Sequence, residues 1–287
     1  MVEIIFQNKN DSLRFYNHFL KCSNNQLDEH HILLNEDHHI IKISDKITAD
    51  QTEIVQNVFY EFITNMKRDD WFRSILTNQF YYHDLEEQQQ ILEILHSILE
   101  GKREDLSVFL KDLNEEEAVK TAINHIFQED VSFSFDSFIK FRLRSYLQQL
   151  ERYVELAIDE YKLEQEYQMF VHMLRDFLSN REPKMDVLYL LFDEEITFYN
   201  QHLTEIKKGE LTRMIDRKLL VNHPVYVDST TIAPLLSLAP KTIFLYTKEA
   251  EAPLVRTIKN IFEERVIVKP IAAFDEMKNW TNDHLYS

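Results

Sequence analysis

FIKFRLRSYLQQLERYVELAIDEYKLEQEYQMFVHMLRDFLSNREPKMD, residues 138–186, is the stretch that decides the fold. It contains no glycine, and its first proline is Pro183. Apolar side chains repeat through it at helical spacing, first along one stripe and then along another. The pattern predicts a long helix over 134–180, with a kink or break near 159–166, where the apolar face changes.

Outward from this stretch, the composition divides the chain into three parts. All six prolines lie after residue 182, and a change of this kind marks a structural boundary. We expect a small α+β unit with a hairpin over 1–46, a helical region over 47–182 and an α/β unit over 183–287. The predicted fold class is therefore α+β, with a mainly helical middle region and a mixed sheet in the C-terminal unit. The two sheet-bearing ends form separate domains or share one sheet.

Alternating apolar and polar residues predict two hairpins. His31–Leu34 and His39–Ser44 form the first, and Val187–Phe192 and Ile196–Gln201 form the second. Strands that alternate with helices near the C-terminus predict a partly parallel sheet. The predicted elements there are helix 204–218, strand Val225–Asp228, helix 230–238, strand Thr242–Thr247, helix 252–263 and strand Arg265–Lys269.

Composition excludes several classes of function. Two glycines in 287 residues, Gly101 and Gly209, cannot form a phosphate-binding P-loop, a dinucleotide-binding turn or a nucleophile elbow. The 49 acidic side chains outnumber the 32 basic ones, and the formal net charge is −17. Because such a chain repels phosphate backbones, we expect no nucleic-acid partner.

The N-terminus lacks the features of a signal peptide, and no apolar run is long enough for a membrane span. These two observations predict a cytoplasmic protein. Cys22 is the single cysteine, and its helical setting predicts a small, buried or half-buried side chain. One thiol forms no internal disulfide.

The charges of the long helix are polarised, with basic residues in its first half and acidic residues in its second half. Like charges four residues apart repel each other, so opposite charges on a partner or on a neighbouring helix would relieve them. The first possibility predicts a docking surface, and the second predicts an internal network of ion pairs. The candidate docking residues are Arg142, Arg144, Asp159, Glu160, Tyr161, Glu164, Glu166 and Tyr167.

A second candidate site lies where a predicted strand meets a predicted helix. Backbone amides and hydroxyl groups at Asp228, Ser229, Thr230 and Thr231 are suited to hold an anion, because ligands bind beyond the carboxyl ends of parallel strands. Capping of the helix by Asp228 or Ser229 explains the same residues.

Histidines in the first hairpin suggest a third, weaker site. His31 and His39 fall on one face of the hairpin if its turn has three residues, and then they are able to share a metal ion. Polar residues on a solvated sheet face are the favoured explanation. The prediction is therefore no metal and no cofactor.

Residues 138–186, quoted above, resemble the signature block of the YtxC-like family of sporulation-associated proteins. The resemblance implies an endospore-forming bacterium as the source and a connection with sporulation. It carries no activity, cofactor or catalytic residue over to this chain. The leading hypothesis is a non-enzymatic interaction or regulatory protein whose unknown protein partner docks on the helical region. The alternative is a small-molecule or anion-binding module, with or without enzymatic activity, at 228–231.

Overall fold

A computed structural model describes residues 2–22, 31–107, 115–129, 131–193, 195–216 and 230–285. The fold is α+β, as predicted, and is mainly helical with two mixed sheets. Two compact units divide the chain, Met1–Leu163 and Glu164–Ser287. The predicted limits of domains at 46 and 182 stay predictions.

The first unit combines a small sheet with several helices. Its elements are β1 (Val2–Ile5), α1 (Lys9–Cys22), β2 (Ile32–Asn35), β3 (Ile40–Ile43), α2 (Ala49–Glu61), a π-helical segment (Phe62–Lys67), α3 (Arg68–Asn78), α4 (Leu85–Leu99), α5 (Glu104–Ser107), α6 (Glu115–Gln128), β4 (Phe133–Ser134), α7 (Phe135–Arg142) and the first part of α8 (Arg144–Ser179). A capping box of Thr48 and Gln51 begins α2, and the Asp84 carboxylate caps α4.

The first sheet has the strand order β2-β3-β1-β4. The predicted hairpin pairs β2 with β3, and β1 lies antiparallel to β3. On its other side, β1 pairs with β4 in parallel, with Ile4 opposite Phe133. The sequence did not predict β4, because two residues are too few to show an alternating pattern.

Phenylalanine rings fill the centre of the first unit. Phe15 on α1 meets Phe59 and Phe62 edge to face, with ring centroids 5.6 and 5.3 Å apart. Phe135 at the start of α7 packs on Phe6 at 4.9 Å and on Phe62 at 5.7 Å. These contacts tie the sheet, α1, α2 and α7 into one core.

The long helix predicted over 134–180 is interrupted at a different place from the one expected. It is interrupted at Leu143, whose φ of −108° and ψ of 23° are not helical, and α8 then continues for 36 residues through 159–166. The apolar face changes there because the residues of α8 up to Tyr161 pack in the core of the first unit, and Val171 and Leu174 pack in the core of the second. A change of core therefore explains the pattern.

The second unit contains the rest of α8 and a sheet of the order β7-β6-β5-β8-β9. Its further elements are β5 (Val187–Phe192), β6 (Ile196–Tyr199), β7 (Glu205–Ile206), α9 (Lys208–Met214), α10 (Ile232–Leu238), β8 (Thr242–Thr247), α11 (Pro253–Phe262), β9 (Val266–Pro270) and α12 (Ile271–Leu285). β5 and β6 form the predicted hairpin, and β5, β8 and β9 are parallel as predicted.

Two regions of the second unit differ from the predictions. Where a helix over 204–218 was expected, the chain first forms β7 and only then the seven residues of α9. The helix α12 was not predicted. The predicted strand Val225–Asp228 lies outside the described residues. Among the described residues, no helix is both long enough and apolar enough to cross a bilayer.

The packing of Phe59 gives the first prediction. Replacing Phe59 with alanine should lower the free energy of unfolding of the first unit by about 3–5 kcal/mol, because a ring that contacts several others is lost from a buried site. Urea unfolding followed by the fluorescence of Trp71 measures this, in a Trp280→Phe background. The control Phe141→Ala removes a ring that is 71% exposed and should change the value by less than about 0.5 kcal/mol. Equal effects of the two substitutions would contradict the role of Phe59.

Candidate functional site

A cleft of about 650 Å³ opens in the first unit. Its volume lies in the range of small-ligand sites. The cleft follows the break between α7 and α8, and the end of the π-helical segment forms part of its wall. Its lining residues are Asp11, Lys67, Trp71, Phe135, Asp136, Ile139, Lys140, Phe141, Arg144, Leu147, Gln148 and Glu151.

A compact network of charges reaches one wall of the cleft through Asp11 and Lys67. The Lys67 ammonium lies 2.9 Å from an Asp11 oxygen and 3.1 Å from an Asp70 oxygen, and Arg14 lies 2.5 Å from Asp70. Both Asp11 and Lys67 are only 12% exposed. Two carboxylates and two cations balance each other here, so this wall is electrically neutral.

Among the other charged residues of the cleft, the carboxylates accept hydrogen bonds, whereas the cations form no ion pair within the described residues. Asp136 accepts a hydrogen bond from the Gln7 backbone amide at 3.1 Å, and Glu151 accepts one from the Gln79 side chain at 2.9 Å. Lys140 and Arg144 are exposed, and neither forms an ion pair within the described residues. The cleft therefore offers two cations to a ligand.

Aromatic and apolar side chains accompany these cations. Phe141 is 71% exposed, and the Lys140 ammonium lies 5.7 Å from the centre of its ring. The half-buried Trp71 meets Tyr146 edge to face, with ring centroids 6.3 Å apart. An exposed ring beside cations is typical of the residues that anchor protein interfaces.

The structure separates the predicted docking residues of the first unit. Arg144 lines the cleft, and Asp159 is exposed. Arg142 contacts Glu129 at 3.2 Å, outside the cleft. Glu160 has an internal partner, since its carboxylate lies 2.6 Å from the Arg103 guanidinium and is 22% exposed. That pair is the internal ion pair that the alternative explanation required.

Tyr161 also has an internal role. The ring is buried, and its hydroxyl donates a hydrogen bond to Glu87 at 3.4 Å. Burial, followed by the charge of Glu87, raises the pKa of Tyr161. In the second unit, Glu164 and Glu166 are exposed, and the half-buried Tyr167 accepts a hydrogen bond from the Asn260 amide at 2.9 Å.

The residues of the predicted anion site are only partly described. Asp228 and Ser229 lie outside the described residues. Thr231 is buried and precedes α10, which has seven residues, all of them buried. Lys248, which follows β8, lies 2.7 Å from Asp193.

The first hairpin places its two candidate histidines far apart. The pairing of Asn35 with Ile40 leaves a four-residue turn that ends at His39, whereas His31 precedes β2 at the open end of the hairpin. His31 lies opposite Ser44, five residues from His39, and this separation is about 16 Å along an extended strand, since each residue rises about 3.3 Å. The two imidazoles therefore do not share a metal ion.

Sequence reasoning missed a cluster formed by His18, Cys22 and Glu61. His18 and Cys22 are four residues apart on α1, and this spacing was a signal that the sequence contained. Glu61 is distant in sequence, so nothing in the pattern connected it to them. Burial of Cys22, followed by the charge of Glu61, raises the pKa of the thiol, and Lys21 opposes this by a smaller amount.

Comparison with known proteins places the chain in a family. The profile described as the YtxC-like family matches residues 53–267. The chain belongs to the YtxC-like family. A relative from Bacillus subtilis (strain 168), which carries the name uncharacterized protein YtxC, is 35% identical over 277 residues, and these cover 96% of each chain. No solved structure matches the chain. The family match covers the cleft except for Asp11.

The pair of Glu160 and Arg103 gives the second prediction for this YtxC-like protein. Glu160→Gln should lower the free energy of unfolding by about 1–2 kcal/mol, because it replaces a charged hydrogen bond to Arg103 with a neutral one in a partly buried site. Urea unfolding measures the change. The neighbouring substitution Asp159→Asn removes the same charge from an exposed position and should cost less than about 0.5 kcal/mol. If Glu160→Gln were as mild as Asp159→Asn, the pair would have no structural role.

Proposed function

We propose that this YtxC-like protein is a cytoplasmic, sporulation-associated binding protein without enzymatic activity. It binds an acidic segment of a partner protein in the cleft of the first unit. The observation that carries the proposal is the pair of exposed cations, Lys140 and Arg144, beside the exposed ring of Phe141 in a chain of net charge −17. The connection with sporulation rests on the resemblance of residues 138–186 to the family's signature block.

Charge supports an acidic partner. The other ionic groups of the cleft are already satisfied, because Lys67 pairs with Asp11, and Asp136 and Glu151 accept hydrogen bonds from Gln7 and Gln79. Binding a carboxylate therefore disrupts no existing ion pair of Lys140 or Arg144. Arginine also binds a carboxylate through two parallel hydrogen bonds, which gives orientation as well as affinity.

Apolar contacts support a protein segment over a free anion. Trp71, Phe141 and Leu147 line the cleft together with the cations, and a small anion would leave these side chains in water. A peptide that carries both an acidic and an apolar side chain would use both kinds of contact. A volume of about 650 Å³ accommodates several such side chains.

The third prediction concerns a covalent capture of this partner. A photo-crosslinking phenylalanine analogue at Phe141 should form an adduct with one protein in sporulating cells of an endospore-forming host. Mass spectrometry of the adduct should place the linkage within an acidic segment. The charge reversal Lys140→Glu with Arg144→Glu should lower the adduct yield by about tenfold or more, because like charges now face each other.

Matched controls separate the cleft from general surface effects. The same analogue at Leu85, which is 72% exposed on the same unit, should not capture this partner. The reversal Lys102→Glu with Lys208→Glu changes the net charge equally at exposed residues outside the cleft and should leave the yield unchanged. An adduct that survives reversal at 140 and 144 contradicts the cleft, and equal capture in growing and sporulating cells contradicts the link with sporulation.

A further inference from the structure

Three potential metal ligands converge between α1 and the end of α2. The Nε2 atom of His18 lies 3.2 Å from Oε2 of Glu61, and Sγ of Cys22 lies 3.7 Å from the same oxygen. The sulfur also lies 3.7 Å from each ring nitrogen of His18. Within the described part of the chain, this is the one group of three such side chains close enough to hold a metal ion.

These separations agree with the edges of a zinc tetrahedron. Zinc binds sulfur at about 2.3 Å, imidazole nitrogen at about 2.0–2.1 Å and carboxylate oxygen at about 2.0–2.2 Å. Tetrahedral angles then place nitrogen about 3.4 Å from oxygen, and sulfur about 3.6 Å from either atom. The three observed distances, 3.2, 3.7 and 3.7 Å, lie close to these values. Because the sulfur is also 3.7 Å from Nδ1, the imidazole ring must turn so that the lone pair of one ring nitrogen faces the ion.

The fold brings the three side chains close together before any metal binds. His18 and Cys22 lie one turn apart on the same face of α1. Phe15 of the same helix packs against Phe59 and Phe62, which flank Glu61 on either side. A site built on packed helices in this way loses little conformational freedom when it binds an ion.

Electrostatics distinguishes this cluster from the one at the other end of α1. There, Asp11 and Asp70 are balanced by Arg14 and Lys67. At the His18 end, the carboxylate of Glu61 meets an imidazole and a thiol, and no lysine or arginine forms an ion pair with it among the described residues. A divalent cation would supply the charge that this end lacks.

We propose that His18, Cys22 and Glu61 bind one zinc ion. Thiolate and imidazole ligands favour zinc over magnesium and calcium. Three protein ligands leave the fourth position to water, as in open zinc sites. Glu61 is 47% exposed, so solvent reaches the site. This site uses residues outside the cleft and does not depend on the proposed partner.

The test is metal binding by the purified full-length chain after treatment with a chelator. Isothermal titration with zinc chloride should give one zinc per chain. Cobalt chloride should give a thiolate-to-cobalt charge-transfer band and the intense visible bands of tetrahedral cobalt. Three single variants remove one ligand each: the near-isosteric Cys22→Ser and Glu61→Gln, and His18→Ala. Each should weaken zinc binding by about 100-fold or more. Cys22→Ser should also abolish the charge-transfer band.

Two control variants locate the binding. His96→Ala removes another histidine that contacts a carboxylate, Asp69 at 3.0 Å, and should leave zinc affinity unchanged. His31→Ala with His39→Ala removes the hairpin imidazoles and should also have no effect. Circular dichroism identifies any variant that fails to fold, and the milder variants at Cys22 and Glu61 then decide. No stoichiometric zinc, or affinity that persists in Cys22→Ser and Glu61→Gln, overturns the proposal.

Discussion

The edge-to-face packing of Phe15 against Phe59 and Phe62 is the contact on which the first unit depends. It fixes α1 against α2 and the π-helical segment. Because polar residues flank these rings along the chain, the same contact brings Asp11 and Arg14 to Lys67 and Asp70 at one end of α1. At the other end it brings His18 and Cys22 to Glu61. One apolar contact therefore positions a neutral ionic wall and a cluster of metal-ligand type.

Helical irregularities, rather than loops, give the first unit its cleft. The π-helical segment ends at Lys67, and α7 ends where Leu143 leaves the helical conformation. Residues on both sides of this break, Lys140 and Arg144, line the same cavity. π-Helical turns are often found at functional sites, because a widened turn changes the direction of the side chains that follow it. A chain with two glycines can thus form a concave surface from helices alone.

The sequence predicted the strands and helices that show a periodic pattern of apolar residues. It missed the features that depend on contacts between residues distant in sequence. The strands β5 and β8 and the body of α8 follow from patterns within single elements. The break at Leu143 could not be predicted, because no glycine or proline lies there. Glu160 was a candidate for a docking surface or for an internal ion pair, and helical spacing could not connect it with Arg103, which lies 57 residues away. Glu61 was missed for the same reason, since it joins His18 and Cys22 only through the packing of two helices.

The parallel pairing of β1 with β4 has a consequence for folding during synthesis on the ribosome. The backbone amide of Glu3 donates a hydrogen bond to the hydroxyl oxygen of Ser132, which follows 129 residues later in the chain. At a synthesis rate of about 5–20 residues per second, this partner follows roughly 6–25 s after β1 emerges. During that interval β3 can cover one edge of β1, while the other edge, with Ile4 in its centre, has nothing to pair with. Unpaired apolar edges invite association between chains, so the nascent first unit is most vulnerable to aggregation before β4 is made.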